Sequence, residues 1–294
     1  MNSFISRRDR ILARLKEVGA ASPKRSLGQN FLVSDYVVEK ILAAARSEPF
    51  TDLVEIGPGL GALTEDLLQL GHPFTLIELD RQFAESWRQR AAEREDLRVI
   101  EADALQLDWR ELGLRENSLL VSNLPYQISS SLVIDRSLEP AGLKRMVLMF
   151  QKEVAQRIAA RAATKDYGLL TVIAQAFWET STVCDAGPRD FYPAPKVASR
   201  VLQFRRRHTQ WAENGEGTPQ GLLKFVKAAF SHRRKLLVRN LQAEYFGGDA
   251  GAVPKLEKIL ADAGFDATVR AEALDPTAFV RVYLAVEKEF AGHG

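Results

Sequence analysis

Five short apolar runs alternate with helical patterns between residues 53 and 150. The runs are Leu53–Ile56, Phe74–Leu79, Leu97–Ile100, Ser118–Ser122 and Arg145–Phe150. Short apolar runs of this kind indicate strands that are buried on both faces. Helical patterns between such strands predict a parallel, doubly wound sheet. The alternation therefore predicts an α/β fold, which places its ligands at the carboxyl ends of the strands.

The second half of the chain departs from this alternation. Two further strand-like runs, Phe177–Cys184 and Val197–Phe204, have only a loop between them and predict an antiparallel pair at one edge of the sheet. A polar, glycine-containing stretch at Thr209–Gln220 predicts a linker or long loop. The helical patterns beyond it are Gly221–Ser231, Lys235–Tyr245, Pro254–Ala263 and Thr277–Glu287. We therefore divide the chain into a basic N-terminal arm (1–23), a Rossmann-like domain (24–207) and a smaller helical domain (208–294).

The charge of the chain is unevenly distributed. The net charge is only +2, but residues 1–30 carry seven Lys or Arg against two acids, and residues 200–240 carry ten against two. Two basic blocks on a mildly acidic body favour a polyanionic partner that binds at particular faces. The alternative is that both blocks are ordinary solvated surface.

Several protein classes are excluded by composition. No apolar run approaches the ~20 residues that a membrane helix needs, and no secretory signal follows Met1. A transit peptide is disfavoured by Asp9 and Glu17 in the basic N-terminal segment. The one cysteine, Cys184, and four scattered histidines predict neither a disulfide framework nor a metal site. We expect a cytoplasmic protein without a membrane anchor.

A glycine-rich turn follows the first predicted strand. Gly57, Gly59 and Gly61 allow a tight turn and a close approach of backbone to ligand. The spacing also fits the loose dinucleotide fingerprint, so alone it does not exclude a nicotinamide dehydrogenase. No Lys or Arg lies within the turn to bind a pyrophosphate.

Carboxylates at three consecutive strand ends help to identify the ligand. Glu55 precedes the glycines and suits a ligand with an ammonium and a sulfonium charge. Glu78, about 20 residues further on, is placed to bind ribose hydroxyls. Asp103 can accept a hydrogen bond from an adenine amine. Together these side chains favour S-adenosylmethionine over a nicotinamide cofactor.

The segment Asn123-Leu124-Pro125-Tyr126 directly follows the fourth predicted strand. The amide oxygen of Asn123 and the carbonyl of Leu124 can accept both hydrogens of an exocyclic amine. Pro125 offers no competing N–H, and Tyr126 can stack on a flat ring. The alternative is a strand end followed by a proline turn and a half-buried tyrosine.

Six sequence blocks together resemble the ribosomal RNA adenine dimethyltransferase family. They are Leu53–Gly61, Gly28–Leu32, Asn123–Tyr126, Phe150–Val154, Phe191–Ser199 and Ala229–Lys235. The resemblance implies a class I S-adenosylmethionine-dependent methyltransferase with a seven-stranded sheet. It implies cofactor contacts at Asn30, Leu32, Gly57, Glu78, Asp103 and Asn123, to which our own analysis adds Glu55, Gly59 and Gly61. Two departures from the family are Gln127, where members usually have Asn, and a longer N-terminal segment.

The small-subunit branch of that family dimethylates two adjacent adenines in the loop near the 3′ end of 16S rRNA. By resemblance we expect this reaction in a monomeric enzyme, with 16S rRNA of the immature 30S subunit as substrate. The catalytic residues expected are Asn123, Leu124, Pro125 and Tyr126, with Phe191 as the second stacking ring. Phosphate contacts are expected from Arg205, Arg206, Arg207, Arg233, Arg234, Lys235 and Arg239, and from the N-terminal arm.

Three other functions compete with this interpretation. A 23S rRNA adenine methyltransferase that confers macrolide resistance shares the early motifs, but is not expected to carry the Ala229–Lys235 block in this form. A DNA adenine methyltransferase usually has Pro where Leu124 stands. A non-catalytic ribosome assembly factor could use the same fold to bind nucleic acid.

Overall fold

The computed structural model describes residues 5–19 and 29–290. Within these stretches the chain forms nine strands and twelve α-helices. The strands are β1 (Phe31–Leu32), β2 (Leu53–Ile56), β3 (Phe74–Glu78), β4 (Leu97–Glu101), β5 (Ser118–Asn123), β6 (Leu143–Gln151), β7 (Trp178–Ala186), β8 (Phe191–Tyr192) and β9 (Ser199–Arg206). The helices are α1 (Arg7–Glu17), α2 (Asp35–Arg46), α3 (Thr64–Leu67), α4 (Arg81–Ala91), α5 (Ser129–Leu138), α6 (Lys152–Ile158), α7 (Leu169–Phe177), α8 (Gln210–Glu213), α9 (Pro219–Ala229), α10 (Leu237–Glu244), α11 (Ala252–Asp262) and α12 (Pro276–Phe290).

Seven of these strands form one sheet in the order β4-β3-β2-β5-β6-β9-β7. The pairs β2–β3, β3–β4, β2–β5 and β5–β6 are parallel, whereas β9 runs antiparallel to β6. The chain reverses its direction of travel across the sheet between β4 and β5, which lie on opposite sides of β2. The predicted seven-stranded Rossmann-like sheet is confirmed, and this reversal places a ligand crevice above β2 and β5.

The chain forms two compact units. Of the described residues, the first unit comprises 5–19, 29–155 and 180–206, and the second comprises 156–179 and 207–290. The second unit is not a continuous C-terminal segment, because it also takes in residues 156–179, which run from α6 through α7. Those residues contain a strongly apolar helix, Leu169–Phe177, which packs with α9 and α12 in that unit.

The first unit has a continuous apolar core around the sheet. Its strands are buried almost throughout: all four residues of β2 and all five of β3 are shielded from solvent. Ser34 caps α2 by accepting a hydrogen bond from Val37 N at Oγ. The helix α3 after the glycine turn is short, because the chain tightens into a 3₁₀ turn at Leu68–Leu70, which ends at left-handed Gly71.

The helix α1 is packed onto the first unit. Ile11 and Leu15 are buried in the same hydrophobic cluster as the strands. The basic N-terminal segment is therefore in part a component of this unit. The remainder of the predicted arm (1–4 and 20–23) and the first residues of the predicted Rossmann-like domain (24–28), including Gly28, lie outside the described residues.

The second unit is built around aromatic side chains. Phe225 contacts Tyr245 and Tyr283 with ring centroids 5.4 and 5.8 Å apart, and Phe230 stacks on Phe279 at 5.6 Å. The segment 209–220, predicted as a linker, contains the short helix α8.

Among the residues that the structure describes, no helix has both the length and the apolar composition to span a membrane.

Candidate active site

One cleft of the first unit collects the residues that follow the parallel strands. Its walls come from five segments, which are 29–32, 55–63, 77–83, 102–104 and 123–128. All nine predicted cofactor contacts except Gly61 line it, as do Leu124, Pro125 and Tyr126. The segment that directly follows β5 lies against the glycine turn. A Cβ built on Gly57 would be only 3.7 Å from Pro125 Cδ.

The glycine turn needs glycine at three positions. Gly57, Gly59 and Gly61 have φ values of 65°, 51° and 83°, a region that L side chains rarely adopt. Neighbouring rings also leave little room: a Cβ on Gly59 would be 3.2 Å from Phe31 Cε1, and one on Gly61 would be 2.8 Å from Trp87 Cζ2. The turn therefore faces the cleft on one side and is closely packed against aromatic rings on the other.

Glu55 brings a carboxyl group into the cleft without an ionic partner. Its side chain is 2% exposed, and Oε2 is buried without a hydrogen-bond partner among the described residues. Burial raises the pKa of Glu55 to about 8, and the nearby Glu78 carboxylate adds to the increase. A buried carboxyl group in a ligand cleft suits a cationic group of the ligand, which would supply the missing partner.

Glu78 and Asp103 both make hydrogen bonds to backbone. Glu78 accepts from Gly59 N at 3.0 Å and from Asp80 N at 2.8 Å, so it joins the end of β3 to the glycine turn. Burial raises the pKa of Glu78, and the two backbone N–H groups oppose that rise. Asp103 accepts from Leu105 N at 2.9 Å. Each carboxylate oxygen can accept a second hydrogen bond, so both side chains can also bind ligand hydroxyl or amino groups.

Asn123 has a defined amide orientation. Its Nδ2 donates to the carbonyl oxygen of Asn30 at 3.1 Å, which ties β5 to the segment that leads into β1. With Nδ2 engaged in this way, Oδ1 is the atom that can accept a hydrogen bond from a ligand. Leu124, the next residue, is 2% exposed and also lines the cleft.

Tyr126 is held at both ends of its side chain. Its backbone lies in the turn between β5 and α5, and its hydroxyl forms a 2.8 Å hydrogen bond with Ser199 Oγ at the start of β9. Burial raises the pKa of Tyr126, so the phenol stays neutral at physiological pH. The ring is only partly buried and lines the cleft.

Phe191, the predicted second stacking ring, does not lie beside the cleft as Tyr126 does. It is 4% exposed, belongs to the hydrophobic cluster of the first unit and does not line the cleft. The cause is the two-residue strand β8, which pairs antiparallel with β1 and sets Phe191 opposite Leu32 and Tyr192 opposite Phe31. In this conformation its ring serves the core, so its role as a second stacking surface stays a prediction.

Several apolar cleft residues were absent from the sequence-based set. They are Phe31, Pro58, Ile77, Leu79, Phe83, Ala104 and Ile128. Leu79 is 56% exposed although it directly follows a buried strand, which is unusual for a large aliphatic side chain. Its position directly after Glu78, the carboxylate that ends β3, was the available signal.

The predicted RNA-binding cations differ in their surroundings. In the first unit, Arg205 pairs with Glu48 at 2.6 Å and Arg206 donates to Ser137 O at 2.9 Å. In the second unit, Arg233 pairs with Glu272 at 2.8 Å and also donates to two backbone carbonyls. The side chains of Arg207, Arg234, Lys235 and Arg239 are exposed. Arg234 and Lys235 form no ion pair with any residue in the described ranges.

The sheet order, the glycine turn and the carboxylates at the strand ends define a class I methyltransferase. A sequence model of the family described as ribosomal RNA adenine dimethylase matches residues 20–291. The chain belongs to this family. It is an rRNA adenine N6,N6-dimethyltransferase that uses S-adenosylmethionine.

Individual relatives agree with this assignment. Ribosomal RNA small subunit methyltransferase A of Bdellovibrio bacteriovorus is 50% identical over 272 residues, which cover 92% of this chain and 95% of the relative. A dimethyladenosine transferase from Plasmodium falciparum has a similar structure, with a TM-score of 0.71, 23% identity and coverage of 89% and 98%. The 23S rRNA methyltransferase ErmE has a TM-score of 0.64 and 26% identity, with coverage of 88% and 100%. The higher identity to small-subunit enzymes favours them over the large-subunit alternative.

Proposed function

We propose that this enzyme dimethylates the 6-amino groups of two adjacent adenosines in the loop near the 3′ end of 16S rRNA, acting on the immature 30S subunit. It does so as a cytoplasmic monomer. The observation that carries this proposal is the hydrogen bond from Asn123 Nδ2 to Asn30 O, beside the glycine turn. It leaves the amide oxygen of Asn123 as an acceptor in a cleft that Leu124 also lines, and the backbone carbonyl of Leu124 would be the second acceptor.

The residues of the cleft fit the cofactor. Glu55 would bind its ammonium group, Glu78 its ribose hydroxyls and Asp103 its adenine amine, while the backbone of the glycine turn and of Asn30 and Leu32 would surround it. The unpartnered Oε2 of Glu55 supports this assignment, since a cation there would give this buried oxygen a partner. When bound, S-adenosylmethionine supplies an electrophilic methyl group on a sulfonium sulfur.

The target amine is a weak nucleophile, because its lone pair is delocalised into the adenine ring. Asn123 Oδ1 and the carbonyl of Leu124 would accept its two hydrogens and draw the nitrogen towards tetrahedral geometry. This localises the lone pair and orients it, and orientation supplies a large part of such accelerations. The proposal requires no general base, since the proton leaves after the methyl group has been transferred.

The adenine must leave its stack to reach this cleft. Tyr126 would then cover one face of the base, with its ring held by the hydrogen bond to Ser199. Such stacking contributes about 1–3 kcal/mol per base. Phe191 would have to leave its core position to cover the other face. Pro125 keeps the segment rigid and adds no donor that competes for the acceptors.

The helical domain and the basic blocks would position the ribosomal substrate. Arg207, Arg234, Lys235 and Arg239 are proposed as the main phosphate contacts, because their side chains are exposed. Arg205, Arg206 and Arg233 would contribute less, since each already has partners within the chain. Phosphate contacts position an RNA and do not read its sequence.

The direct test is incubation of the full chain with labelled S-adenosylmethionine and 30S subunits that lack the modification, followed by mapping of the modified bases. Two adjacent dimethyladenosines near the 3′ end of 16S rRNA are expected. Label on naked 23S rRNA instead would support the large-subunit alternative. Cofactor binding without any transfer would support a non-catalytic assembly factor.

A further inference from the structure

The helix α1 contacts the elements around the glycine turn. Arg7, only 8% exposed, donates to Ala62 O at 2.6 Å, to Asp66 Oδ2 at 2.8 Å and to Asp35 Oδ1 at 2.8 Å. It therefore connects the residue after the glycine turn to the start of α2. The family match begins at residue 20, after α1 has ended, so family membership assigns this helix no role.

Trp87 supports the glycine turn from its packed side. It is fully buried, and its indole Nε1 donates to Gly59 O at 2.8 Å. The same indole lies so close to Gly61 that an added Cβ would be 2.8 Å from Cζ2. The position of this ring therefore sets the position of two residues of the turn.

Arg14 of α1 holds that indole in place. Its guanidinium carbon is 4.1 Å from the centroid of the Trp87 ring, a cation–π contact. Arg14 also pairs with Glu65 of α3, and Arg90 of α4 contacts both the same ring and the same carboxylate. A Cβ on Gly61 would be 3.0 Å from Arg14 Nη1 as well. Arg14 thus touches the turn, its supporting ring and the helix that follows.

We propose that α1 is a positioning element of the cofactor site, and that Arg7 and Arg14 are positioning residues for S-adenosylmethionine. Three glycines with positive φ give the turn many accessible conformations when nothing constrains it. A site that is ordered before its ligand arrives loses less conformational entropy on binding. The inference rests on the proposed assignment of the cleft residues to the cofactor.

This inference gives the N-terminal cations two different roles. Arg7 and Arg14 pack against the elements around the glycine turn, whereas Arg10 and Lys16 are exposed. Arg8 is exposed as well, and its guanidinium carbon lies 5.8 Å from the centroid of the Tyr192 ring. Arg10 is therefore a matched control for Arg14. It lies on the same helix with the same charge, and its side chain forms no ion pair with a described residue.

The test measures cofactor affinity of the full chain by titration calorimetry with S-adenosylmethionine, at a temperature where circular dichroism shows each variant folded. Arg14→Ala is expected to weaken binding about tenfold, the lower end of what supporting residues contribute at metal sites. Arg7→Ala should act in the same direction and Arg10→Ala should leave the affinity unchanged. With saturating rRNA, the KM for the cofactor should rise in Arg14→Ala while kcat stays close to the wild-type value.

Two further variants separate positioning from general stability. Arg14→Lys keeps the charge beside Glu65 but loses the planar stack, so we expect partial rescue of the affinity. Leu143→Ala destabilises the sheet at the amino end of β6, away from the cleft, and should lower Tm without changing cofactor affinity. Unchanged affinity in folded Arg14→Ala would overturn the inference. Failure of the wild-type chain to bind the cofactor would instead overturn the assignment of the cleft, and the inference with it.

Discussion

The side chain of Asn123 and the backbone of Asn30 are joined by a hydrogen bond of 3.1 Å across 93 residues of sequence. The bond connects the carboxyl end of β5 to the segment that enters β1. It determines which atom of the amide is available as an acceptor. The orientation of a potential catalytic side chain therefore depends on a main-chain group of a separate motif, which a change of side chain at Asn30 would leave in place.

Glu55→Gln should remove a proton-linked component of cofactor binding. The pKa of Glu55 is raised to about 8 by burial, so without ligand its carboxyl group is mostly protonated at pH 7. A cation in the cleft lowers that pKa, and binding should release a proton and tighten between pH 6 and 8. Calorimetry in buffers of different ionisation enthalpy measures the release. Equal proton release by wild type and Glu55→Gln would contradict the assignment.

Glu55→Gln should also change how stability depends on pH. In the wild type, cofactor affinity should rise with pH, whereas the free energy of unfolding should fall. The folded chain retains a proton on Glu55 between about pH 4.5 and 8, whereas the unfolded chain loses it. The free energy of unfolding of the wild type should therefore fall through this window as pH rises. Urea titrations at pH 5 and pH 8 should show that Glu55→Gln gains stability over the wild type at the higher pH.

Tyr126→Ala and Tyr126→Phe should differ clearly in methylation. The alanine variant loses the stacking surface and should be slower by about 10–100-fold, equivalent to 1–3 kcal/mol. The phenylalanine variant loses only the hydrogen bond to Ser199, so its rate should fall less than tenfold. Ser199→Ala should match Tyr126→Phe, and the double variant should be no worse than either. Equal rates in Tyr126→Ala and Tyr126→Phe would exclude stacking as the function of the ring.

Replacing Arg234 and Lys235 with alanine should weaken binding to 30S subunits and reduce its salt dependence. For each phosphate that the enzyme no longer neutralises, the slope of log K against log salt should fall by about 0.7–0.9. Arg233→Ala is the matched comparison. It removes an ion pair with Glu272 and bonds to Thr164 O and Lys165 O, so thermal stability should fall more than the salt slope. A salt slope unchanged in the double variant would exclude both residues as phosphate contacts.

Arg145→Met should destabilise the first unit without affecting catalysis per folded molecule. The guanidinium is 2% exposed and donates to Ala45 O, Glu48 O and Ser47 Oγ at the end of α2. Its loss leaves buried carbonyls unpaired, at a cost of about 1–3 kcal/mol each when fully buried. Urea unfolding measures the change, and Lys144→Met, at an exposed neighbouring position, is the control. A loss of stability no larger than that of the control would contradict this role.

The sheet and most of the cleft could be predicted because their signals are local. Buried parallel strands are apolar on both faces, so β2 has its predicted bounds, Leu53–Ile56, and the polar residues after each strand meet at one edge. Carboxylates and an amide at strand ends carry a chemical signal of their own. The strands β1 and β8 could not be predicted from the apolar pattern, because two residues are too few to show a periodicity.

The remaining features depend on contacts between distant residues. Nothing in the local pattern of α1 distinguishes Arg7 and Arg14 from the exposed Arg8 and Arg10, because their partners Asp66 and Glu65 lie more than 50 residues away. The burial of Phe191 follows from the pairing of β8 with β1. Residues 156–179 belong to the second unit because α7 packs there, although in the chain most of this segment lies between β6 and β7 of the first unit's sheet.

The measurement that tests the central claim most directly compares cofactor affinity and methyl transfer in Asn123→Ala, with unmodified 30S subunits as substrate. The side chain is proposed to accept a hydrogen bond from the target amine as its lone pair is localised. Loss of one such interaction costs about 10²–10³ in kcat. We predict an affinity for S-adenosylmethionine within a few-fold of the wild type and a rate of transfer lower by at least a hundredfold. Near-normal transfer by this variant would contradict the account.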